Sequence, residues 1–485
     1  MTATGNFIDT HAHLDFPEFR DDFNEVLRRA RDVGVSRIIT IGSGNKMNSA
    51  GSAVEISRKN SNIWATVGIH PHDSLLDFFC GASFDDRPSS DLFTLWKKEA
   101  AARIEILKNL SIYEKVVGIG EIGLDYHYKF SPRPVQTELF NLLLALAIEI
   151  EKPVVIHDRE AHEDMLAVLK NFTFKNGGIL HCFSGDTRLA MKVIEMGFYI
   201  SIPGVVTFKN SVQLADVVRN IPIEKMILET DSPFLAPVPF RGKRNEPSHI
   251  PLIAEKVAEL KGLNVDDVAR ITTRNAVRIF NLPDEEEMVR IVYPIRDSLY
   301  LNITNRCTLA CVFCAKRRDW SVKGHFLRLE HEPSAEELIS SCRPLLGKYV
   351  EVVFCGYGEP LLRPDIVKSV SAELKKSGIK IRVNTDGLAS LVHGRDITAE
   401  LAGLVDSYSV SLNAGDAETY ARLCPSRFGG AAHAAVKDFI LAAKRHATVT
   451  ASAVAVPGLD IESVRKLAEK ELGVEFRERA YNNLG

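Results

Sequence analysis

From Phe7 to about Pro283, short β-branched runs alternate with longer amphipathic stretches. The runs are Phe7–Asp9, Arg37–Ile41, Ile63–Val67, Val116–Ile119, Pro153–Ile156, Gly178–His181, Tyr199–Ile202 and Lys225–Leu228. Period-2 or continuous apolar runs of this length read as strands, and patterns such as Asp21–Val33 and Glu138–Ile150 read as helices. Eight strand–helix units over this span predict an α/β fold, a (β/α)8 TIM barrel. An open doubly wound sheet is the alternative, but no Gly-x-Gly-x-x-Gly turn supports it.

The alternation resumes after the acidic run Asp284–Glu287, with strands expected near Asp297–Thr304, Val350–Phe354, Ile379–Asn384, Ser407–Asn413, Val449–Val456 and Val474–Phe476. Six units are too few to close a full barrel, so a partial (β/α)6 barrel is expected. The expected organisation is a barrel over 1–283, a linker over 284–291 and a second domain over 292–485.

Composition narrows the class. The 485 residues are 45% hydrophobic and 25% charged, as in an ordinary globular protein, and long enough for two or three cores. No apolar stretch reaches the roughly 18 residues of a spanning helix, and the N-terminus lacks the order of a secretory signal, so a cytoplasmic, non-membrane protein is expected. A net charge of −3 gives no global basic field, so a nucleic-acid partner must be held by local patches. Eight cysteines are too few for a disulfide scaffold, and three of them cluster, which points to metal.

Asp9-Thr-His-Ala-His13 ends the first strand, where alternation points His11 and His13 the same way. Glu121, His157, His181 and Asp231 fall at later strand ends, where barrel active sites are built. Nitrogen and carboxylate donors suit Mg, Mn or Zn, and a carboxylate between two ions holds them for hydrolysis. Taken alone, any one of these histidines reads as a core or surface residue; six donors in register read as a site. Cys182, beside His181, reads as a small buried residue.

The whole set resembles the TatD family of metal-dependent deoxyribonucleases, among the amidohydrolase-like barrels, over about residues 6 to 283. Val67-Gly-Ile-His-Pro-His72, Gly120-Glu-Ile-Gly-Leu-Asp-Tyr126, His157-Asp-Arg-Glu-Ala161 and Arg241-Gly-Lys-Arg-Asn-Glu-Pro247 occur in that family's order. The resemblance implies two divalent metal ions: one on His11, His13, Glu121 and Asp231, the other on Glu121, His157 and His181. It implies hydrolysis of phosphodiester bonds in DNA or RNA by metal-activated water, with Asp231 accepting the proton and Glu121 catalytic alongside it. His70 and His72 read as substrate-contacting or supporting groups, and Arg159, Arg241 and Lys243 as phosphate contacts.

In the second half, Cys307, Cys311 and Cys314 form Cys-x3-Cys-x2-Cys. Three thiolates leave one iron of a 4Fe-4S cluster open, whereas zinc sites fill four positions with paired cysteines or histidine. Cys342, Cys355 and Cys424 read as isolated. The run resembles the radical S-adenosylmethionine superfamily, of a type associated with TatD proteins, over about residues 293 to 485. That resemblance implies S-adenosyl-L-methionine on the open iron, an electron donor such as flavodoxin or ferredoxin, and a 5′-deoxyadenosyl radical acting on a substrate the sequence does not name. Cys355-Gly-Tyr-Gly-Glu-Pro360 resembles the superfamily's Gly-Gly-Glu-Pro motif, with Tyr357 in place of its first glycine, so Gly358 and Glu359 carry over. Phe313, Asn384, Ser411 and Asn413 are the further expected cofactor contacts.

The expectation is a bifunctional fusion whose halves share nucleic-acid or nucleotide substrates. The alternative is an amidohydrolase or deacylase on a small molecule, joined to a non-catalytic iron–sulfur module that senses redox state or docks a partner.

Overall fold

The structure, a computed structural model, describes residues 6–44, 48–76, 90–283, 291–317 and 320–481. The chain divides into two compact units, Met1–Asp284 and Glu285–Gly485. Nearly all of the expected linker, 284–290, lies outside the described residues. No helix among the described residues is long and apolar enough to cross a membrane.

The first unit is built on eight parallel strands in sequential order. These are β1 (Phe7–Ala12), β2 (Val35–Gly42), β3 (Ile63–Val67), β4 (Val116–Asp125), β5 (Val154–Arg159), β6 (Gly178–Leu180), β7 (Tyr199–Ile202) and β8 (Met226–Leu228). The barrel closes where Asp231 donates its backbone N–H to the His11 carbonyl at 2.9 Å and His13 donates to that of Ser232 at 2.8 Å. β4 runs to Asp125, six residues past the expected end at Ile119. The helix expected from Glu138 starts at Arg133, because Pro134 in its first turn loses no helical hydrogen bond there.

Two irregularities aim side chains into the barrel mouth. β4 slips against β5 between Gly120 and Ile122, a bulge at Glu121, and β1 slips against β2 between Asp9 and Ala12, around His11. A bulge turns a side chain that strict alternation would place elsewhere. Glycine permits the close approach: a Cβ on Gly123, at φ +140°, would sit 2.0 Å from the His157 carbonyl oxygen.

The second unit carries a seven-stranded sheet. Its strands are β9 (Val292–Ile295), β10 (Ser298–Leu301), β13 (Glu351–Phe354), β14 (Lys380–Thr385), β15 (Ser407–Ser411), β16 (Thr448–Val454) and β17 (Glu475–Arg479); β11 (Ser321–Val322) and β12 (His325–Phe326) form a separate hairpin. The six expected strands, β10 and β13 to β17, pair in parallel. β9 is an addition, antiparallel to β10 across Arg296–Asp297. Arg296 takes φ +52° where glycine or asparagine normally announces a two-residue hairpin, so the turn leaves little trace in sequence. Along β14 and β15, Ile381, Val383, Tyr408 and Val410 are buried against the helices, while Arg382, Asn384, Ser407, Ser409 and Ser411 alternate onto the other, partly open face.

Gly123→Ala is expected to lower the melting temperature of the first unit, with a loss of about 1–3 kcal/mol from overpacking and backbone strain. Gly51→Ala, in open space within the helix Asn48–Lys59, is expected to raise it, with a gain of about 0.5–1 kcal/mol in stability. Differential scanning calorimetry of the two variants checks the pair of opposite signs.

Candidate metal centre and cysteine loop

Glu121 lies at the centre of the barrel mouth, almost fully buried, and its two oxygens face different neighbours. Oε2 lies 3.6 Å from His11 Nε2 and 3.9 Å from His13 Nε2. Asp231 Oδ1 completes that group, 3.7 Å from His11 Nε2 and 3.5 Å from His13 Nε2. Oε1 lies 2.8 Å from His157 Nδ1 and 2.7 Å from His181 Nε2, and those two nitrogens are 3.3 Å apart. Donors about 2.0–2.1 Å from one ion at tetrahedral angles stand ~3.4 Å from each other; the first group is close to that spacing, whereas the second is drawn in to hydrogen-bond distance between Glu121 Oε1 and the two imidazoles. His70 Nε2 also reaches Oε1, at 3.4 Å, closer to the centre than a peripheral contact.

The donor chemistry fits cations. His11 Nδ1 and Nε2, His13 Nδ1 and His181 Nδ1 are buried without a hydrogen-bond partner, and each such atom costs roughly 1–3 kcal/mol unless something satisfies it. Charge points the same way. Burial would raise the Glu121 carboxyl, but the positive fields of His181 and His70 hold it well below the usual carboxylate range. Burial would lower His181, yet Glu121 and Glu229 hold its imidazole well above its ordinary value. Without an ion the cluster draws protons onto its own donors.

Three of the donors are braced. Asp125 Oδ2 lies 3.0 Å from His157 Nε2 and 2.9 Å from His72 Nε2, leaving His157 Nδ1 for the centre. Gln136 accepts the Asp125 N–H at 2.8 Å and donates to its carbonyl at 2.9 Å. Behind His181, Glu229 Oε1 stands 3.6 Å from Nδ1 and accepts the Cys182 N–H at 2.5 Å. Asp231 takes φ +56°, a conformation that costs a non-glycine residue roughly 1–3 kcal/mol. It is held on one side by its bond to His11 and on the other by Asn245, which donates Nδ2 to the carbonyls of Thr230 at 2.8 Å and Phe234 at 2.6 Å. Asp9 accepts from the Thr230 hydroxyl at 2.6 Å; burial pushes its carboxyl up to about 7 against that bond.

The centre opens into a cavity of about 1000 Å³ lined by His13, His70, His157, Arg159, Cys182 and Asp231, among others. Cys182 is only half-buried there, so its expected burial is corrected: φ +43° turns the chain at the cavity wall. Arg241 and Lys243 are exposed and do not line the cavity; Arg241 lies at its rim, 4.6 Å over Phe208.

In the second unit, Cys307 is exposed and Cys311 and Cys314 are half-buried, all as free thiols. Although Cys307 is exposed as a residue, partial desolvation of its sulfur and the nearby Asp386 carboxylate push the thiol up, and bound iron would hold it as a thiolate. The cysteines' loop lies against the end of β13: Glu359 donates its N–H to the Arg306 carbonyl at 2.7 Å, and a Cβ on Gly358 would meet the Thr304 oxygen at 2.1 Å. Tyr357 turns away, its hydroxyl donating to the Ser321 carbonyl at 2.5 Å. Glu359 is buried and accepts from Leu361 N–H, the Thr385 hydroxyl and Asp386 N–H at 2.9, 2.8 and 2.7 Å.

Cys424 is not isolated. Ala310 and Val312 donate N–H groups to the carbonyls of Pro425 and Leu423 at 2.8 and 3.0 Å, which sets Cys424 opposite Cys311. Asn413, at φ +58°, donates Nδ2 to Cys424 Sγ at 3.4 Å. Asn384 accepts from Arg382 Nη1 at 2.9 Å, Ser411 ends β15 half-buried, and Phe313 packs on the apolar core.

Residues 8–281 match the model of the TatD related DNase family. The chain belongs to that family. Residues 301–470 match the radical SAM superfamily, so a TatD unit is followed by a radical SAM unit. Over 275 residues the chain is 42% identical to the uncharacterized metal-dependent hydrolase YabD of Bacillus subtilis, covering 56% of this chain and 98% of that protein. It is 34% identical over 281 residues to the 3′-5′ ssDNA/RNA exonuclease TatD of Erwinia tasmaniensis, covering 56% and 99%. An uncharacterized amidohydrolase of Saccharomyces cerevisiae superposes with a TM-score of 0.50 at 18% identity, covering 57% of this chain and 100% of that one, which shows the fold.

The structure brings together all six donors expected of the TatD unit. Sequence reasoning gave no role to Asp125, Glu229 or Asn245, although Asp125 and Asn245 lay within motifs already quoted; a carboxylate or amide near a ligand reads as a surface group until the fold is known. Glu121→Ala is expected to abolish stoichiometric divalent-metal binding, whereas His157→Ala is expected to retain about one ion per chain, by elemental analysis after dialysis. Asp125→Asn keeps the ligands but removes the charge behind His157, and is expected to weaken metal affinity by roughly 10–100-fold in titration.

Proposed function

We propose that the TatD unit hydrolyses phosphodiester bonds in DNA or RNA using two divalent ions, Mg, Mn or Zn. The observation that carries this is the division of Glu121, one oxygen toward His11, His13 and Asp231 and the other toward His157 and His181. When bound, such a pair of ions supplies Lewis acidity at phosphoryl oxygens and acidifies water. Glu121, with one oxygen toward each group of donors, would be the residue shared by the two ions. Asp231 borders the cavity with its carboxylate ionised, because His13 and His11 outweigh the effect of burial, so it is poised to take a proton from the attacking water. His157 is confined by Asp125 to offering Nδ1, and Arg159 lines the approach as a fixed cation for a phosphate. The Erwinia relative's name as a 3′-5′ ssDNA/RNA exonuclease supports this substrate class.

For the second unit we infer that Cys307, Cys311 and Cys314 hold a 4Fe-4S cluster with S-adenosylmethionine at its open iron, fed by a flavodoxin- or ferredoxin-type donor. Bound, this pair supplies a 5′-deoxyadenosyl radical. The residues' part is to hold the loop. Glu359 ties it to Thr385 and Asp386 through its carboxylate and to Arg306 through its N–H, and Gly358 lets it approach β10's end.

Two experiments test these readings. Labelled single-stranded DNA incubated with Mg or Mn is expected to shorten, with at least a 10²-fold loss of rate in His157→Ala; metal-dependent amide hydrolysis without DNA cleavage would contradict the nuclease. Anaerobically reconstituted, dithionite-reduced protein is expected to release 5′-deoxyadenosine from S-adenosylmethionine, with none from Cys311→Ala. Cys424→Ser is expected to keep about four irons per chain; loss of the cluster there would make Cys424 the fourth ligand and leave no open iron.

A further inference from the structure

Two groups of aromatic rings stand beside the metal centre with no structural need for their exposure. Tyr128 and Phe130, just beyond β4, are 47% and 58% exposed, and their rings stack within 7° of parallel at 5.5 Å between centroids. Both pack edge-on to His72, at 5.3 and 4.9 Å, and His72 shares Asp125 with His157. On the other side, Phe234, 48% exposed, packs edge-on to Phe16 at 5.8 Å, and Phe16 lies 4.8 Å from His13. His157 meets Glu121 Oε1 and His13 faces Oε2, so one aromatic wall stands at each end of the row of donors.

We propose that these walls take the bases on the two sides of the scissile phosphate. The proposal rests on the nuclease reading above and adds what recognises the substrate. Exposed aromatic rings gathered at one cavity mark a binding surface. Every base offers a flat π face, so stacking holds a strand without reading its sequence and is worth roughly tenfold to a hundredfold per base. In a duplex those faces are already stacked on their neighbours. Charge favours a nucleic acid over an apolar peptide: Arg159 lies 4.7 Å over the Tyr128 ring and Arg241 4.6 Å over Phe208, another ring of the same cavity. A cavity of about 1000 Å³ is at the upper end of small-ligand sites, room for a few nucleotides and too small for a double helix.

The test compares thymidine oligomers with the same oligomers carrying tetrahydrofuran residues, which keep the phosphates but lack bases, on either side of one bond. Full-length protein with Mn, Tyr128→Ala/Phe130→Ala, Phe234→Ala and Phe130→Trp are assayed after their metal content is shown equal. Wild type is expected to cleave the base-free bond at least tenfold more slowly in kcat/KM. Each wall variant is expected to lose tenfold to a hundredfold on the normal strand, mainly in KM, and to become indifferent to a missing base on its own side; Phe130→Trp is expected to retain discrimination. Cleavage of both strands at equal rates by wild type overturns the walls and leaves the nuclease standing. Equal loss of kcat on both strands in the wall variants overturns them too, as a purely structural effect. Cleavage of no strand overturns the nuclease reading and the proposal with it.

Discussion

A carboxylate buried among imidazoles is the constraint on which the TatD unit depends. Removing the Glu121 charge from water costs several kcal/mol, which only nearby positive charge and good geometry offset. His11, His13, His157 and His181 surround it as neutral donors or as acids, and in the absence of cations the protons collect on the histidines whose carboxylate neighbours outweigh burial. Two divalent ions bound there, as proposed, would replace those protons with fixed charge. The cluster is therefore unfavourable as empty architecture and favourable as a ligand set, which is why its geometry points to chemistry.

The surrounding barrel spends its irregularities on this one group. Bulges in β1 and β4 reorient His11 and Glu121, glycine at 123 lets β5 bring His157 close, and the strained turn at Asp231 is locked by Asn245. The loop bearing Asn245 is itself clamped to the first helix: Glu246 accepts from Arg29 Nε and Nη2 at 2.8 and 2.6 Å, and Arg244 makes a two-pronged pair with Asp22 at 2.8 and 2.7 Å. These partly exposed pairs contribute modestly to stability. Their importance is that a displacement of the last loop would carry Asp231 out of the shell.

Much of this was legible in the chain because strand periodicity and strand-end chemistry are local signals. All eight barrel strands and the six parallel strands of the second unit follow from alternating apolar runs, and the donors declared themselves by recurring at strand ends. The bulges did not, since a one-residue slip is defined by the partner strand. Nor did the braces, because Asp125 and Asn245 acquire meaning only from residues distant in sequence. Cys424 was misread for the same reason: it lies more than a hundred positions from Cys311, and antiparallel pairing of two loops puts them face to face. The β9 hairpin was hidden by a positively charged residue in a turn that usually shows glycine.

The two units offer different donor sets on α/β scaffolds, one of nitrogen and oxygen donors at strand ends and the other of sulfur donors on a single loop. The central claim is that Glu121 bridges two ions, and anomalous diffraction from crystals grown with Mn tests it most directly. Two peaks are predicted, one among His11, His13, Glu121 and Asp231, the other among Glu121, His157 and His181. A single peak away from Glu121, or none in the barrel mouth at saturating Mn, would contradict the account.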